Sequence, residues 1–182
     1  MKRGAIEAII EIPAGVDAKL TDDILTLKSG KNEASKKLAS EKIKLVLEGN
    51  KLKLTTKKSS KKEKKLVGSF RAHIKNLIEG IREPHVYKLK ICSGHFPMNV
   101  SIAGSDLTVK NFLGEKIPRK LKLKKGASVK IEGSEITIES ANKELAGQAA
   151  ADIEQLTKRP NYDPRIFQDG IYIIIKDGKE VK

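Results

Sequence analysis

The chain has 182 residues, of which 38% are hydrophobic, so it can form one medium domain or two small ones with packed cores. Aromatic residues make up only 4% and Trp is absent, which favours two small aliphatic cores. The formal net charge is +14, and because like charges repel in a compact state, this excess favours a polyanionic partner. Nucleic acid is the first candidate and an anionic membrane the second, while a merely soluble lysine-rich surface is the alternative.

The cellular setting is predicted from cysteine usage and from the absence of long apolar runs. Cys92 is the only cysteine, which excludes an intramolecular disulfide and favours a reducing compartment. The opening residues 1–4 lead into an alternating segment and not into an apolar signal-peptide core. The longest apolar run, residues 171–175, is far too short to cross a bilayer. We therefore expect a cytoplasmic protein with no signal peptide and no membrane partner.

Alternating apolar residues predict strands in the first part of the chain. Residues 6–12 alternate until Pro13 ends the run, and residues 25–30 form a second strand that turns at its end. Residues 43–54 predict a hairpin, because two alternating runs flank the turn pair Gly49-Asn50.

The period then changes to that of an amphipathic helix. The apolar residues at spacings of three and four are Leu66, Phe70, Ile74, Leu77 and Ile81. Ser60 and Glu63 predict a capping box at its start, while Gly80 and Pro84 are expected to mark its end.

The same order of signals returns in the second part of the chain. Residues 86–91, 100–102 and 107–110 predict strands, and residues 129–138 predict a second hairpin. A second helical stripe follows at Leu145, Ala149, Ile153 and Leu156.

The two parts align with each other and indicate an internal duplication. Residues 25–28 match 107–110, and residues 49–54 match 133–138. The alternative is that two unrelated meandering domains look alike, but the shared order of turn, hairpin and helix favours duplication. We predict an α+β fold of two tandem duplicated domains, 1–82 and 83–182, each an antiparallel β-sheet packed against one α-helix. Residues 1–82 carry 20 Lys and Arg against 10 Asp and Glu, whereas residues 83–182 carry 17 against 13.

The histidines and the cysteine do not form a recognisable catalytic or metal-binding pattern. His73, His85 and His95 have no metal-ligand spacing with each other or with Cys92. Cys92 lies near His95 in sequence, but nothing local would orient the imidazole as a base. No glycine motif for phosphate binding occurs. We predict no enzyme activity, no metal and no cofactor, and an RNA-modifying enzyme that uses Cys92 or His95 stays as a competing hypothesis.

Two basic segments have both a functional and an ordinary interpretation. The run 57–65 lies between the first hairpin and the first helix, and it is either a mobile solvated loop or a finger that contacts phosphates. Residues 120–125 form a smaller basic stretch whose alternating part is also typical of a strand with a solvated outer face.

The segment 158–170 after the second helix combines basic and aromatic residues. Pro160 and Pro164 prevent helix continuation and predict an extended segment. Arginine forks match phosphates, and aromatic faces stack on unpaired bases. The alternative is a tail pinned to the second domain, with Phe167 and Tyr172 as core anchors, and both interpretations can hold together.

Three segments resemble one protein family. Residues 165–173, with Lys176 after them, are similar to the C-terminal signature of the archaeal and eukaryotic branch of the large-subunit ribosomal protein L-six family, with the archaeal members favoured. Residues 95–100 resemble a segment early in the second domain of that branch, and residues 10–16 resemble the family's start. Tyr162 and Pro164 depart from the family pattern ahead of the arginine.

The resemblance implies a function and a set of RNA-facing residues. It implies a non-enzymatic structural protein without a cofactor, which binds large-subunit ribosomal RNA in the cytoplasm. It further implies a second domain near the sarcin–ricin loop and the stalk base, with neighbouring ribosomal proteins there and translation factors as indirect partners. The residues expected at or near RNA are Lys158, Arg159, Arg165 and Lys176, a loop of Gly94, His95 and Phe96 on the same side, and, from their basic character, Lys110 and Lys116. Asp169 and Gly170 are expected to shape the turn before the last strand.

A general nucleic-acid-binding module, such as a chromatin protein, would explain the charge equally well. It would not explain the motif at residues 165–172, which binding by charge alone does not require.

Overall fold

The computed structural model describes residues 6–30, 32–163 and 165–181. The predictions that concern residues 1–4 and Pro164 lie outside the described residues. The chain divides into two compact units, the first ending at Pro84 and the second beginning at His85.

The described residues of the first unit form six strands followed by one helix. They are β1 (Glu7–Glu11), β2 (Asp17–Thr21), β3 (Ile24–Ser29), β4 (Asn32–Lys37), β5 (Ile43–Glu48), β6 (Lys51–Thr56) and α1 (Lys61–Arg82). The strands form two antiparallel sheets, one in the order β1-β6-β5 and the other in the order β2-β3-β4. Helix α1 packs on β3, β4 and β1, over a core that includes Leu25, Leu27, Leu52, Leu54 and Ile74.

The second unit repeats this order and then extends it. Its elements are β7 (His85–Cys92), β8 (Asn99–Ala103), β9 (Asp106–Lys110), a short turn at Phe112–Gly114, β10 (Arg119–Lys122), β11 (Ser128–Glu132), β12 (Glu135–Ser140), α2 (Lys143–Leu156), β13 (Gly170–Lys176) and β14 (Lys179–Glu180). One antiparallel sheet has the order β10-β9-β8, and the other has the order β11-β12-β7-β13-β14.

The strand orders confirm the predicted duplication and the α+β class. Strands β7 to β12 and helix α2 pair and follow each other as β1 to β6 and α1 do, so β11-β12-β7 corresponds to β5-β6-β1. The hairpin of β13 and β14 is added to the free side of β7, and in the described part of the first unit no strand lies at the corresponding side of β1.

Helix α1 begins as predicted and ends at Arg82, between the two residues that were expected to mark its end. Ser60 and Glu63 form the capping box, and four of the five predicted apolar residues are buried while Leu66 is half-buried. Gly80 was expected to mark the end, but it lies inside the helix and is buried. The helix ends at Arg82 because Glu83 precedes a proline, which disfavours helical dihedral angles at that residue.

Helix α2 covers the larger sheet with small side chains. Ala146, Ala149 and Ala150 are buried against a core that includes Leu89 and Ile138. The sequence stripe found Ala149 but not the other two alanines, because alanine contributes little to a hydrophobic pattern. Small residues let the helix approach the sheet closely. The C-terminal end of α2, where the following segment begins, is therefore positioned by this packing.

The C-terminal end of α2 also closes part of the outer edge of β13. The Thr157 hydroxyl accepts the backbone N–H of Ile171 at 2.9 Å, and Glu154 Oε1 accepts the N–H of Ile173 at 3.1 Å. Strand β14 pairs only with Ile175 and Lys176, so these two side chains satisfy donors that β14 does not reach.

A partly buried polar cluster ties the other end of β13 to α2 and β7. Asp177 accepts a hydrogen bond from Lys143 Nζ at 2.6 Å and lies 2.7 Å from His85 Nδ1. Burial raises the pKa of the Asp177 carboxyl, but the hydrogen bonds and charges of Lys143 and His85 outweigh burial and hold that pKa below its ordinary value. His85 is therefore part of the scaffold and is only 4% exposed.

Candidate nucleic-acid interface

The tail after α2 is a compact turn and not the extended segment predicted from its prolines. The carbonyl oxygen of Asp163 accepts the N–H groups of Ile166 and Phe167 at 3.1 and 2.9 Å. The Asp163 side chain accepts the N–H of Arg165 at 2.9 Å. These hydrogen bonds fold the tail back on itself, so its side chains project from a defined turn.

A series of stacked side chains runs through this tail to the loop after β7. The Arg159 guanidinium lies over the Tyr162 ring at 4.4 Å from its centroid. The Tyr162 and Phe167 rings meet edge to face at 4.8 Å, and Phe167 stacks on the His95 ring at 5.1 Å. Each contact is worth about 1 kcal/mol, so together they order a segment that lacks regular secondary structure.

Asp169 joins the loop after β7 to the tail by hydrogen bonds. We call such a set of side-chain hydrogen bonds between two segments a clip. One of its oxygens accepts the backbone N–H groups of Gly94 and His95 at 2.7 and 3.0 Å, and the other lies 2.5 Å from His95 Nδ1. Burial raises the pKa of the Asp169 carboxyl, but these hydrogen bonds outweigh it and hold the pKa below its ordinary value. Asp169 thus shapes the approach to β13, as predicted, and also holds a loop that is more than 70 residues away in sequence.

A second clip holds the loop before β10. Arg119 donates to both oxygens of Glu115, at 2.8 and 2.6 Å, and to the carbonyl oxygen of Leu156 at the end of α2. Its guanidinium also lies 4.4 Å from the centre of the Phe112 ring. The hydrogen bond from Arg119 lowers the pKa of the Glu115 carboxyl. Glu115 is also 4.0 Å from Arg159, so this clip reaches the stacked tail.

Loop 93–98 has further anchors on the segment before β10. Asn111 Nδ2 donates to the Pro97 carbonyl oxygen at 3.0 Å. The Phe96 ring lies over Gly114, where an added Cβ would meet the ring at 3.6 Å. Leu113 has a φ of 47°, which is unfavourable for a branched side chain and marks a tightly constrained turn.

We call the surface formed by residues 93–98, 115–118, 158–163 and 165–168 the tail face. Its cations Lys116, Lys158, Arg159 and Arg165 are exposed. It also exposes large apolar side chains, since Ile117 is 82% and Ile166 is 65% exposed. Cations beside exposed apolar and aromatic groups suit a partner that presents both phosphates and bases.

The structure brings most of the predicted site residues together and separates one. Lys158, Arg159, Arg165, Lys116 and the Gly94–His95–Phe96 loop belong to the tail face. Lys110 ends β9 directly beside Asn111 and so flanks this face. Lys176 is exposed but lies at the far end of β13, next to Asp177.

Two other sequence interpretations need correction. Phe167 is half-buried and Tyr172 is 40% exposed, so neither is a core anchor; Phe167 is held by stacking on the surface. The run 57–65 is not a single loop, because residues 61–65 form the start of α1 and residues 57–60 connect it to β6; its contact with phosphates stays a prediction. Its lysines are exposed.

Glu115 and Arg119 are the organising residues that the sequence did not reveal. Their spacing of four suggests a local pair, but nothing in the sequence shows that Arg119 reaches Leu156 and Glu115 reaches Arg159. Tyr162, which stood out only as a departure from the family pattern, is the central ring of the stack.

No group of three or more His, Cys, Asp and Glu side chains could hold a metal ion within residues 6–30, 32–163 and 165–181. In the same described ranges no helix combines the length and the apolar character that a membrane crossing needs. The His95 imidazole is held by Asp169, stacked on Phe167 and set in a basic surface.

A duplicated α+β scaffold with a basic and aromatic face is typical of one class, the nucleic-acid-binding proteins. The family model for Ribosomal protein L6 matches residues 12–84 and 96–170, one match in each unit. The chain therefore belongs to the ribosomal protein L6 family, whose members are structural and non-enzymatic. This confirms the resemblance on which the sequence prediction relied and the prediction that the protein is not an enzyme.

Similar proteins from three archaea cover nearly the whole chain. The chain is 42% identical to the large ribosomal subunit protein uL6 of Methanococcus vannielii over 170 residues, which is 93% of each chain. It is 43% identical to that of Methanosarcina mazei, over 94% of this chain and 97% of the relative. It is 36% identical to that of Thermoplasma volcanium, over 93% of this chain and 95% of the relative.

Proposed function

We propose that this chain is a structural constituent of the large ribosomal subunit that binds ribosomal RNA mainly through its second domain, residues 83–182. In this proposal the tail face lies against RNA near the sarcin–ricin loop and the stalk base. Neighbouring ribosomal proteins at the stalk base are direct partners, and translation factors that land there are indirect partners. The protein acts in the cytoplasm, in the ribosome.

The observation that carries this proposal is the continuous set of contacts from Arg119 through Glu115, Arg159, Tyr162 and Phe167 to His95 and Asp169. Exposed cations ordinarily lose side-chain entropy when they bind, which reduces affinity. Here the tail backbone is already ordered by its turn, and Arg159 is already stacked. Such a preorganised surface favours one RNA shape over general polyanions.

The first domain has a different part in the proposal. Its exposed lysines at 57–65 lie on a short connector and on the first turns of α1. Lysines are flexible point charges that suit phosphates and not base edges. The positive helix N-terminus also disfavours added cations, so this cluster is better accommodated beside an anion. We assign it to diffuse attraction of RNA.

Chemical probing of large-subunit RNA with and without the full-length protein tests the location. We expect nucleotides of the sarcin–ricin loop and the stalk base to be protected, and the Arg165→Ala variant to lose much of that protection. Protection confined to other regions of the RNA would contradict the location while leaving the ribosomal role in place.

Sedimentation tests the ribosomal role itself. The protein should cosediment with large subunits, and its affinity for their RNA should fall as salt rises. Random duplex DNA provides the control, because equal affinity for DNA and ribosomal RNA would favour a general nucleic-acid-binding module. Sedimentation wholly outside ribosomal particles in growing cells would refute the role.

A further inference from the structure

A cavity of about 300 Å³ opens beside the tail face, within the second unit. Its walls come from the end of α2, the tail, β13 and the turn before β10. Four aromatic rings line it, those of Phe112, Tyr162, Phe167 and Tyr172. Phe112 is fully buried and forms the floor, whereas Tyr162 and Tyr172 are each 40% exposed and stand at the rim.

The size and the lining of the cavity fit one planar heterocycle. Its volume is at the lower end for small-ligand sites, so it suits a single base better than a dinucleotide. The rim tyrosines offer aromatic faces, and base–aromatic stacking works for every base because every base has a π-face. Lys158 and Arg159 also line the cavity, which places cations where the phosphates of an inserted nucleotide would lie.

Two carboxylates line the same cavity, and they differ in how many of their oxygens already accept hydrogen bonds. Asp169 is occupied by Gly94 and His95. Glu154 uses Oε1 for the N–H of Ile173, and in the described part of the chain its Oε2 has no hydrogen-bond partner. A half-buried carboxylate oxygen next to aromatic walls accepts hydrogen bonds, so the cavity is suited to a ligand that presents N–H donors.

We propose that this cavity receives one unpaired base of ribosomal RNA, with guanine preferred. This inference rests on the proposed RNA-binding function and deepens it by naming a base-reading site. Guanine presents two adjacent N–H donors on its Watson–Crick edge; one would bind the free Oε2 of Glu154, and the other would share Oε1, which has a second lone pair beside the one that accepts the Ile173 N–H. Uracil presents one donor between two acceptors, and those acceptors repel the carboxylate. Specific recognition of RNA commonly uses such unstacked bases.

Binding of short single-stranded RNAs to the full-length protein tests the preference. The probes are fluorescein-labelled UUGUU and UUUUU, and the readout is fluorescence anisotropy at fixed salt. We expect UUGUU to bind at least about fivefold more tightly, as one paired set of hydrogen bonds to a base edge provides. Glu154→Gln should remove most of this difference, since its amide oxygen can still accept the Ile173 N–H while its amide group opposes the guanine donors.

Two further variants separate base reading from general effects. Glu132→Gln removes an exposed carboxylate on β11 of the same unit and should leave the preference unchanged. Tyr162→Ala should weaken both RNAs by about tenfold, because it removes the rim ring on which either base stacks. Hydrogen exchange of the α2 and β13 amides shows whether each variant keeps the fold of the second unit.

The outcomes distinguish this inference from the proposed function. Equal binding of the two probes by the wild type, or a preference that survives Glu154→Gln, would overturn the base site, even if the protein still binds ribosomal RNA. Failure to bind ribosomal RNA better than DNA would overturn both proposals together. In intact large subunits, ultraviolet cross-linking should join Tyr162 or Tyr172 to a nucleotide, and a cross-link from Tyr162 to a neighbouring protein chain instead would show that a protein side chain occupies the cavity.

Discussion

The two units share one arrangement of strands and helix but differ in how they present charge. The first unit has the larger excess of cations, and its densest cluster lies on a connector and the start of α1. The second unit has the smaller excess, yet its cations at the tail face are combined with stacked rings and with the hydrogen-bonded carboxylates of Asp169 and Glu115. Net charge therefore identifies the kind of partner, whereas preorganisation identifies the surface that distinguishes one partner from another.

The difference follows from what was added to the second copy. Strand β13 extends the sheet beyond β7, and the chain that leads from α2 to β13 must cross the end of the sheet. That crossing segment is the tail. In the first unit the described chain reaches Pro84 directly after α1, so no segment there corresponds to the tail.

The largest expected effect is on the clip between the tail and loop 93–98. Asp169→Ala should lower the free energy of unfolding by about 3 kcal/mol, because it leaves two backbone N–H groups without their partner. Chemical denaturation measures the loss, and hydrogen exchange should locate it in the second unit. Asp17→Ala, an exposed carboxylate in β2, is the control and should change stability by less than about 0.5 kcal/mol. Equal decreases in the free energy of unfolding for the two variants would contradict the view that the second unit depends more strongly on its carboxylate contacts.

The next effect concerns Asp177 and pH. Its folded pKa lies below the ordinary value of 3.8, so its contribution is present above that pH and is lost as the pH falls through the folded pKa. Asp177→Asn should lower the free energy of unfolding by about 2 kcal/mol at pH 7. Urea denaturation from pH 7 to about pH 3 should show a shallower acid loss for the variant than for the wild type. Parallel pH curves would indicate that other carboxylates dominate.

A direct comparison of the two units uses one arginine from the tail face. Arg165→Ala should weaken binding to large-subunit RNA by about tenfold, since an arginine fork contributes geometry as well as charge. Filter binding at constant salt gives the ratio, and Arg71→Ala, on α1 in the first unit, is the matched control. A similar loss from both arginines would mean that diffuse charge governs binding.

The smallest effect is expected in the lysine cluster of the first unit. Lys62→Ala should weaken RNA binding by only about twofold, because neighbouring lysines replace one lost point charge. Where Lys62 contacts a phosphate, the slope of log affinity against log salt should decrease by about 0.9 or less. A single-lysine loss larger than that of Arg165→Ala would reverse the ranking of the two units.

Much of the fold follows from local signals in the sequence. The hairpin turn at Gly49-Asn50, the capping box of Ser60 and Glu63, and the repeated order of elements identify the duplicated α+β scaffold. These features depend on residues that are close in sequence, so they can be recognised from the order of residues along the chain. The end of α1 lies between Gly80 and Pro84, as expected, but the position of Gly80 inside the helix could not be predicted, because a glycine inside a helix and a glycine at its end look alike in sequence.

The tail face depends on contacts between distant segments, and only its composition could be predicted. Arg159, Arg165 and the loop with His95 were expected near each other through the family resemblance. The compact turn at Asp163 and the clip through Glu115 were not, since hydrogen bonds to one carbonyl or one carboxylate leave no periodic signal. Their assignment to RNA stays a prediction.

The side chains of Thr157 and Glu154 have a consequence for the newly made chain. An open strand edge is a template on which another copy can pair and start an aggregate. The N–H groups of Ile171 and Ile173 are closed to such pairing only after α2 has docked on the sheet. The same docking fixes the start of the tail. Docking of α2 thus removes one site of self-association in the same step that positions the start of the tail face.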